Sequence, residues 1–237
     1  MKTLLEISGL QASYGVAQVL FDTNLAISPG QVVTLLGRNG MGRSTTIKCL
    51  FGLLPVKSGQ IVFNGQRIDN TSSHRIARLG LGLVPEGRQV FPNLTVEENL
   101  VATSRDSTDT TKSPWTLDRV YQFFPRLQER KANLGNQLSG GEQQMLAIGR
   151  ALMTNPSLVV LDEATEGLAP LIRSEIWATL RELKNEGLSM LVIDKNLGPL
   201  LGLADKHFII EKGKTVWQGT SDELRSNPKV VHEYLGV

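Results

Sequence analysis

The 237-residue sequence has a single cysteine, Cys49, which leaves no internal disulfide framework and no cysteine-rich zinc site, and fits a reducing compartment. It has no run approaching the roughly 18 apolar residues of a membrane-spanning helix, and Glu6 interrupts the N-terminal stretch Met1–Leu10 before an apolar region of signal-peptide length can form. The chain is therefore expected neither to cross a membrane nor to be addressed outside the cell, although it could dock on a membrane protein. Strong charge of either sign is also missing. With 25 basic and 23 acidic residues the formal net charge is +2, far from the cationic stripe that sequence-independent phosphate-backbone binding uses, so no nucleic-acid partner is expected. Internal repeats are absent, and 41 % hydrophobic with 20 % charged residues is ordinary globular usage that excludes wholesale disorder.

What is present reads as an α/β protein. Short runs rich in Val, Ile and Leu (Val32–Leu36, Leu81–Val84, Leu158–Leu161, Met190–Ile193, His207–Ile210) recur between segments of helical periodicity, the pattern of a mainly parallel core sheet covered by helices. Leu4–Leu10, Val19–Ile27 and Ile61–Phe63 predict strands of a flanking antiparallel β patch, with Asn64-Gly65 as a hairpin turn. From about residue 91 to 136 strand-like runs disappear. Thr95 to Glu98 offers a capping box and Leu117–Phe124 has helical spacing, which predicts an inserted helical lobe, with Ser104–Ser113 as an exposed linker inside it.

Three motifs carry chemistry. Val32–Leu36 runs into Gly37, Arg38, Asn39, Gly40, Met41, Gly42, Arg43, Ser44 and Thr45, and then into the helix-compatible Thr46–Phe51. A strand, glycine-rich turn and helix start aim successive backbone N–H groups at one anion. The spacing is that of a P-loop, except that Arg43 stands where lysine is expected; a plain glycine-rich turn is the bland alternative. Ser44 is placed to ligate Mg²⁺, while the planar fork of Arg43 has a different reach from lysine, so phosphate binding is expected to survive better than catalysis. Second, the apolar run Leu158–Leu161 ends in Asp162 and Glu163, at the strand edge where α/β sheets hold ligands. Asp162 is assigned to Mg²⁺ and Glu163 to the base that takes a proton from attacking water; two solvated acids are the bland alternative. Third, Leu138, Ser139, Gly140, Gly141, Glu142, Gln143 and Gln144 precede a helical stretch, Met145–Met153. The Ser139 hydroxyl and Gly141 N–H at a helix start form a second anion site. One nucleotide hardly needs two such sites from one chain, so each subunit is expected to offer this one to its partner's nucleotide in a head-to-tail pair.

Leu138–Gln144 resembles the signature of ATP-binding-cassette (ABC) ATPases, and the order and spacing of the three motifs resemble that family over essentially the whole chain. The resemblance implies a single P-loop NTPase domain that binds ATP and Mg²⁺, with Tyr14 stacked on adenine. It implies that the lobe at 91–136 presses on transmembrane permease subunits and that Ala164–Pro170 faces a second ATP-binding subunit. Two positions depart from the family pattern: Glu86 stands where a glutamine usually leads to the transmembrane contact, and Lys195 where a switch histidine usually follows a strand. Glu86 joins Ser44 and Asp162 as a Mg²⁺ candidate, and His74, His207 and His232 all lie elsewhere. The stretches Val84–Leu100, Glu166–Pro170 and Tyr234–Gly236 look like the F-type ATP-binding subunit of Liv branched-chain amino-acid importers. That likeness implies a peripheral subunit on the cytoplasmic face of the plasma membrane, linked indirectly to a substrate-binding protein. A hydrolysis-impaired, nucleotide-gated subunit of a heterodimer and an importer of urea or amides are the alternatives. A soluble ABC ATPase of DNA repair or translation is disfavoured, because the chain has no second cassette, no long coiled coil and little net charge.

Overall fold

The structure, a computed structural model, describes residues 3–107 and 113–236. Its strands are β1 (Leu5–Tyr14), β2 (Ala17–Ile27), β3 (Val32–Leu36), β4 (Ser58–Phe63), β5 (Gln66–Arg67), β6 (Leu81–Val84), β7 (Leu158–Asp162), β8 (Ser189–Ile193), β9 (Lys206–Glu211) and β10 (Lys214–Gly219). Its helices are α1 (Arg43–Leu50), α2 (Ser73–Arg78), α3 (Val96–Val101), α4 (Leu117–Phe123), α5 (Pro125–Glu129), α6 (Gly140–Leu152), α7 (Pro170–Asn185), α8 (Leu197–Leu203), α9 (Ser221–Arg225) and α10 (Pro228–Leu235).

The strands form one sheet in the order β5-β4-β1-β2-β10-β9-β3-β8-β7-β6. From β9 to β6 every neighbour is parallel. β3, β7 and β8 are buried at every position, which is why they read as unbroken apolar runs: helices cover a parallel sheet on both faces. Successive side chains alternate between two cores. Val32, Leu36, Val159, Leu161 and Met190 pack with α3 to α9. Val33, Leu35, Leu158, Val160 and Leu191 pack with α1, α2 and the antiparallel strands. In that patch β1 pairs with β2 and β4, and β4 turns into β5 through Asn64 and Gly65, both at positive φ as a tight hairpin demands.

Between residues 91 and 136 lie α3, α4, α5 and a 3₁₀ turn, with no strand among the described residues. The capping box is present: Thr95 Oγ1 accepts from the Glu98 N–H, and the Glu98 carboxylate accepts from the Thr95 N–H. Ser104, Asp106 and Ser113 are exposed and lie outside helix and strand, as expected of a linker. Residues 108–112 lie outside the described residues, but Arg105 is pinned: its N–H donates to the Met153 carbonyl at 3.0 Å, and its carbonyl accepts from Asn155 Nδ2 at 2.6 Å. Asn155 Oδ1 also accepts from the Trp115 N–H, so one side chain holds both flanks of the segment. Helix α6 starts at Gly140, five residues ahead of the predicted Met145. Its N-cap Ser139 and the reciprocal bond from Glu142 outweigh the poor helix propensity of two glycines. Among the described residues no helix is long and apolar enough to cross a membrane.

Candidate functional site

The glycine-rich turn leaves β3 at Leu36 and is pressed against its neighbours. Gly37 has φ +150, and a Cβ there would come 2.4 Å from the Ile210 carbonyl oxygen on β9. Gly42, the N-cap of α1, has φ +112, and a Cβ would come 2.7 Å from Leu20 Cδ2 on β2. Both positions require glycine, for space and for conformation. Met41 fastens the middle of the turn: its carbonyl accepts from the Gly213 N–H at 3.0 Å. Helix α1 starts with no side-chain cap and no acidic residue in its first turn, so its leading N–H groups suit an anion. Ser44 is exposed and Thr45 buried. Arg38 points away, to the His232 carbonyl of α10 at 3.4 Å. Tyr14, at the end of β1, is exposed, with Lys48 Nζ 5.5 Å from the centre of its ring.

The carboxylates come from the end of β7. Asp162 is buried, and its Oδ1 has no hydrogen-bond partner. Burial, assisted by Glu86, raises its carboxyl above the ordinary aspartate range, while Arg43 and Lys48 oppose the shift. Glu163 sits in the left-handed region at φ +50, and its N–H donates to the Ile193 carbonyl at 2.8 Å. That turn sends its side chain back over the P-loop. There Arg43 Nη2 lies 3.1 Å from Oε1 and Lys195 Nζ 3.3 Å from Oε2. Burial and the neighbouring Glu166 hold the Glu163 carboxyl above the usual range despite these two cations. Arg43 Nη2 also donates to Asn39 Oδ1 at 3.0 Å, and Lys195 Nζ lies 2.7 Å from Glu166.

Asn39, Gly40, Gly42, Arg43, Ser44 and Thr45 face Glu86, Glu163, Glu166 and Lys195 across a cleft of about 310 Å³. The sequence-predicted loop, base and two departures thus meet in one place. A larger hollow of about 540 Å³, by Gly80, Ser157 and Leu188 at the opposite edge of the parallel strands, carries Asp106 and Glu186 among arginines but no glycine-rich turn at a helix start, so size alone does not pick the site. The donors fit a hard divalent cation: Asp162 Oδ1 is an orphaned buried acceptor, and carboxylate oxygens of Glu86, Glu163 and Glu166 lie within 4.8 Å of one another. The sequence reading put Glu166 in the loop that faces a second subunit and not in this cleft; the signal for the cleft is its place three residues after Glu163. Also unforeseen is a clamp below the site. The Thr165 hydroxyl donates to Asp194 Oδ2 at 2.6 Å, and Asn196 Nδ2 donates to Asp194 Oδ1, which ties the loop bearing Glu163 to the loop bearing Lys195.

The second predicted anion site stands apart. Ser139 is exposed at the start of α6, Gly141 is buried against Ile172, and the Arg88 guanidinium packs on Gly140. None of Ser139, Gly140, Gly141 and Glu142 lines the cleft that holds Arg43. Within one chain the two helix starts do not converge.

Comparison with known proteins agrees with this geometry. The family profile described as ABC transporter matches residues 20–166. The chain is 41 % identical over 233 residues to the high-affinity branched-chain amino acid transport ATP-binding protein BraG of Pseudomonas aeruginosa, covering 98 % of this chain and 100 % of that one. It is 33 % identical to the lipopolysaccharide export system ATP-binding protein LptB of Haemophilus influenzae, covering 99 % and 98 %. It is 32 % identical to a probable branched-chain amino acid transport ATP-binding protein, LivF, of Archaeoglobus fulgidus, covering 96 % and 97 %. Among solved structures, a nucleotide-free ATP-binding cassette from an ABC transporter superposes with a TM-score of 0.83 at 26 % identity, covering 97 % of each chain. A second cassette, in its ADP conformation, gives 0.82 at 25 % identity over the whole of both chains. With a P-loop on β3, paired acids ending β7, a separate serine-capped helix and relatives matched from end to end, the chain belongs to the ABC transporter family as an ATP-binding subunit.

Proposed function

We propose that this subunit binds and hydrolyses MgATP to drive a membrane importer of branched-chain amino acids, through ATP-dependent closure of two ATP-binding subunits. The observation that carries the reading is the separation of the two anion-seeking helix starts. No residue of the Ser139 helix start lines the cleft at Arg43, and Ser139 of a second subunit would bring that helix start to the nucleotide held there. The end-to-end likeness to BraG supports the cargo.

The residues then divide the work. Backbone N–H groups from Gly37 to Thr45 cradle the phosphates, Arg43 contributes a fixed positive fork, and Tyr14 stacks on the adenine. Ser44, Asp162 and Glu86 hold Mg²⁺, which when bound neutralises charge on the phosphate oxygens. Glu163 accepts the proton of the attacking water. Glu86 leads toward the permease, and residues 91–136 form the lobe that touches it, with the subunit seated on the cytoplasmic face of the membrane and the substrate-binding protein reached only through the permease.

The test is Glu163→Gln in a reconstituted complex with its permease subunits. Turnover falls about 10²- to 10⁴-fold while nucleotide affinity persists; undiminished turnover removes Glu163 from the base role. One observation favours a second reading. The ion pair between Arg43 and Glu163 ties up both the phosphate cation and the base, as suits a nucleotide-gated subunit whose heterodimer companion does the hydrolysis. Phosphate release measured with and without the companion separates the two.

A further inference from the structure

Arg43 and Glu163 are 120 residues apart in sequence and belong to motifs that act on opposite ends of a phosphate: one binds it and the other activates the water that attacks it. In the structure they are bonded to each other, Nη2 to Oε1 at 3.1 Å, with only 7 % and 13 % of the two side chains exposed. A pair so shielded from water is far less screened than a surface ion pair. The geometry around it is over-determined. Asn39 holds the same Arg43 nitrogen, Lys195 holds the other oxygen of Glu163, and the Glu163 backbone is locked at positive φ by the Ile193 carbonyl. Besides the acids Glu86 and Glu166 the cleft presents one further cation, Lys195, whose side chain is half-exposed, so Arg43 is the cation lying deeper in it.

We infer that Arg43 is a latch on the general base: before nucleotide arrives its guanidinium occupies Glu163 Oε1, and an incoming triphosphate takes the guanidinium over and so frees that oxygen, with Lys195 left on Oε2. The inference rests on the nucleotide-site reading above and deepens it, because it assigns the arginine at the lysine position a task of its own. The same step that binds nucleotide would unmask the base, so a subunit without nucleotide carries a base that is engaged elsewhere. Reach is what distinguishes arginine here. Glu163 is held by a terminal nitrogen of the fork, and a lysine ammonium on the same backbone stops about one bond short while keeping its charge for phosphate.

The test is a double-mutant cycle on the full chain, with affinity for the non-hydrolysable analogue AMP-PNP and Mg²⁺ read by calorimetry so that turnover plays no part. In the natural background Glu163→Gln frees Arg43 and tightens binding about tenfold, roughly 1.4 kcal/mol. In the Arg43→Lys background the same change tightens binding by less than about threefold, because the latch is already open. Equal gains in both backgrounds would mean that only the repulsion of a carboxylate had been removed, and would overturn the latch while leaving the nucleotide site intact. No gain in the natural background would mean that Arg43 grips phosphate without leaving Glu163, which overturns the latch as well. Absence of binding in all four proteins would remove the nucleotide site, and the latch with it.

Discussion

Asp162 illustrates at the scale of one residue how function and stability part company. Its carboxylate is buried at the end of β7, its Oδ1 has no partner, and burial together with Glu86 raises its proton affinity. In the subunit without nucleotide this charge is a cost, because a buried charge without full hydrogen bonding is destabilising. A neutral amide of the same shape relieves it. Asp162→Asn is therefore expected to raise the unfolding free energy of the nucleotide-free chain by about 1 kcal/mol in a denaturant titration. The same variant loses the Mg²⁺ dependence of nucleotide affinity in calorimetry. A variant that is destabilised, or whose Mg²⁺ response is unchanged, would show that the orphaned oxygen has another purpose. The sequence disclosed the residue type and its strand-end position. It could not disclose that Oδ1 is left unpaired among charges that come from elsewhere in the chain, Glu86 after β6 and Arg43 and Lys48 on α1.

At the scale of elements, legibility followed burial. β3, β6, β7 and β8 were readable within a residue because strands buried on both faces must be continuously apolar. β10 was not, since exposed Lys214, Val216 and Gln218 alternate with half-buried Thr215 and Trp217 and give no run. The binding of β9 to its neighbours was equally hidden, because it passes through a histidine. His207 is fully buried; its Nδ1 lies 2.7 Å from Thr34 Oγ1 on β3, and its Nε2 lies 2.8 Å from Ser221 Oγ at the start of α9. The single Ser221 proton is given to the Ala204 carbonyl, so Nε2 donates and Nδ1 accepts from Thr34. A second proton on the ring would abolish that acceptor. Burial first, then the charge of Arg225, lowers the imidazole from 6.5 to about 4, with Asp205 opposing. The unfolded chain takes up the proton more readily, so this contribution is complete above pH 6.5 and is lost as pH falls toward 4, up to about 3 kcal/mol. Unfolding free energy measured from about pH 7 to about pH 5 should slope downward in the natural protein and lie flatter in His207→Gln, which is less stable at neutral pH. Parallel slopes would assign the acid sensitivity to other groups.

On the scale of the whole molecule, the sheet places the P-loop, Asp162 and Glu163 at one edge of the parallel strands and leaves the Ser139 helix start outside that cleft. The sequence motifs announced both anion sites but carried no information about the distance between them, which only the packing of α6 against α3 and β6 decides. A molecule built this way is half of a working unit, and its two halves should respond differently to mutation. Ser139 already has one structural duty, since its Oγ accepts from the Glu142 N–H, so Ser139→Ala costs about 1 kcal/mol of stability through the lost cap. If Ser139 touched the nucleotide of its own chain, the variant would also weaken AMP-PNP binding to the isolated subunit. The in-trans arrangement predicts the reverse: affinity of the isolated subunit stays within about twofold, while ATP turnover in the permease complex falls by about tenfold or more, because the lost contact is one made to the partner's phosphate. Sedimentation supplies the independent check. Glu163→Gln, which retains ATP, should convert from monomer to dimer when MgATP is added, and the additional change Ser139→Ala should shift that conversion to higher protein concentration. A dimer equally stable with and without the serine would place the contact elsewhere on the molecule.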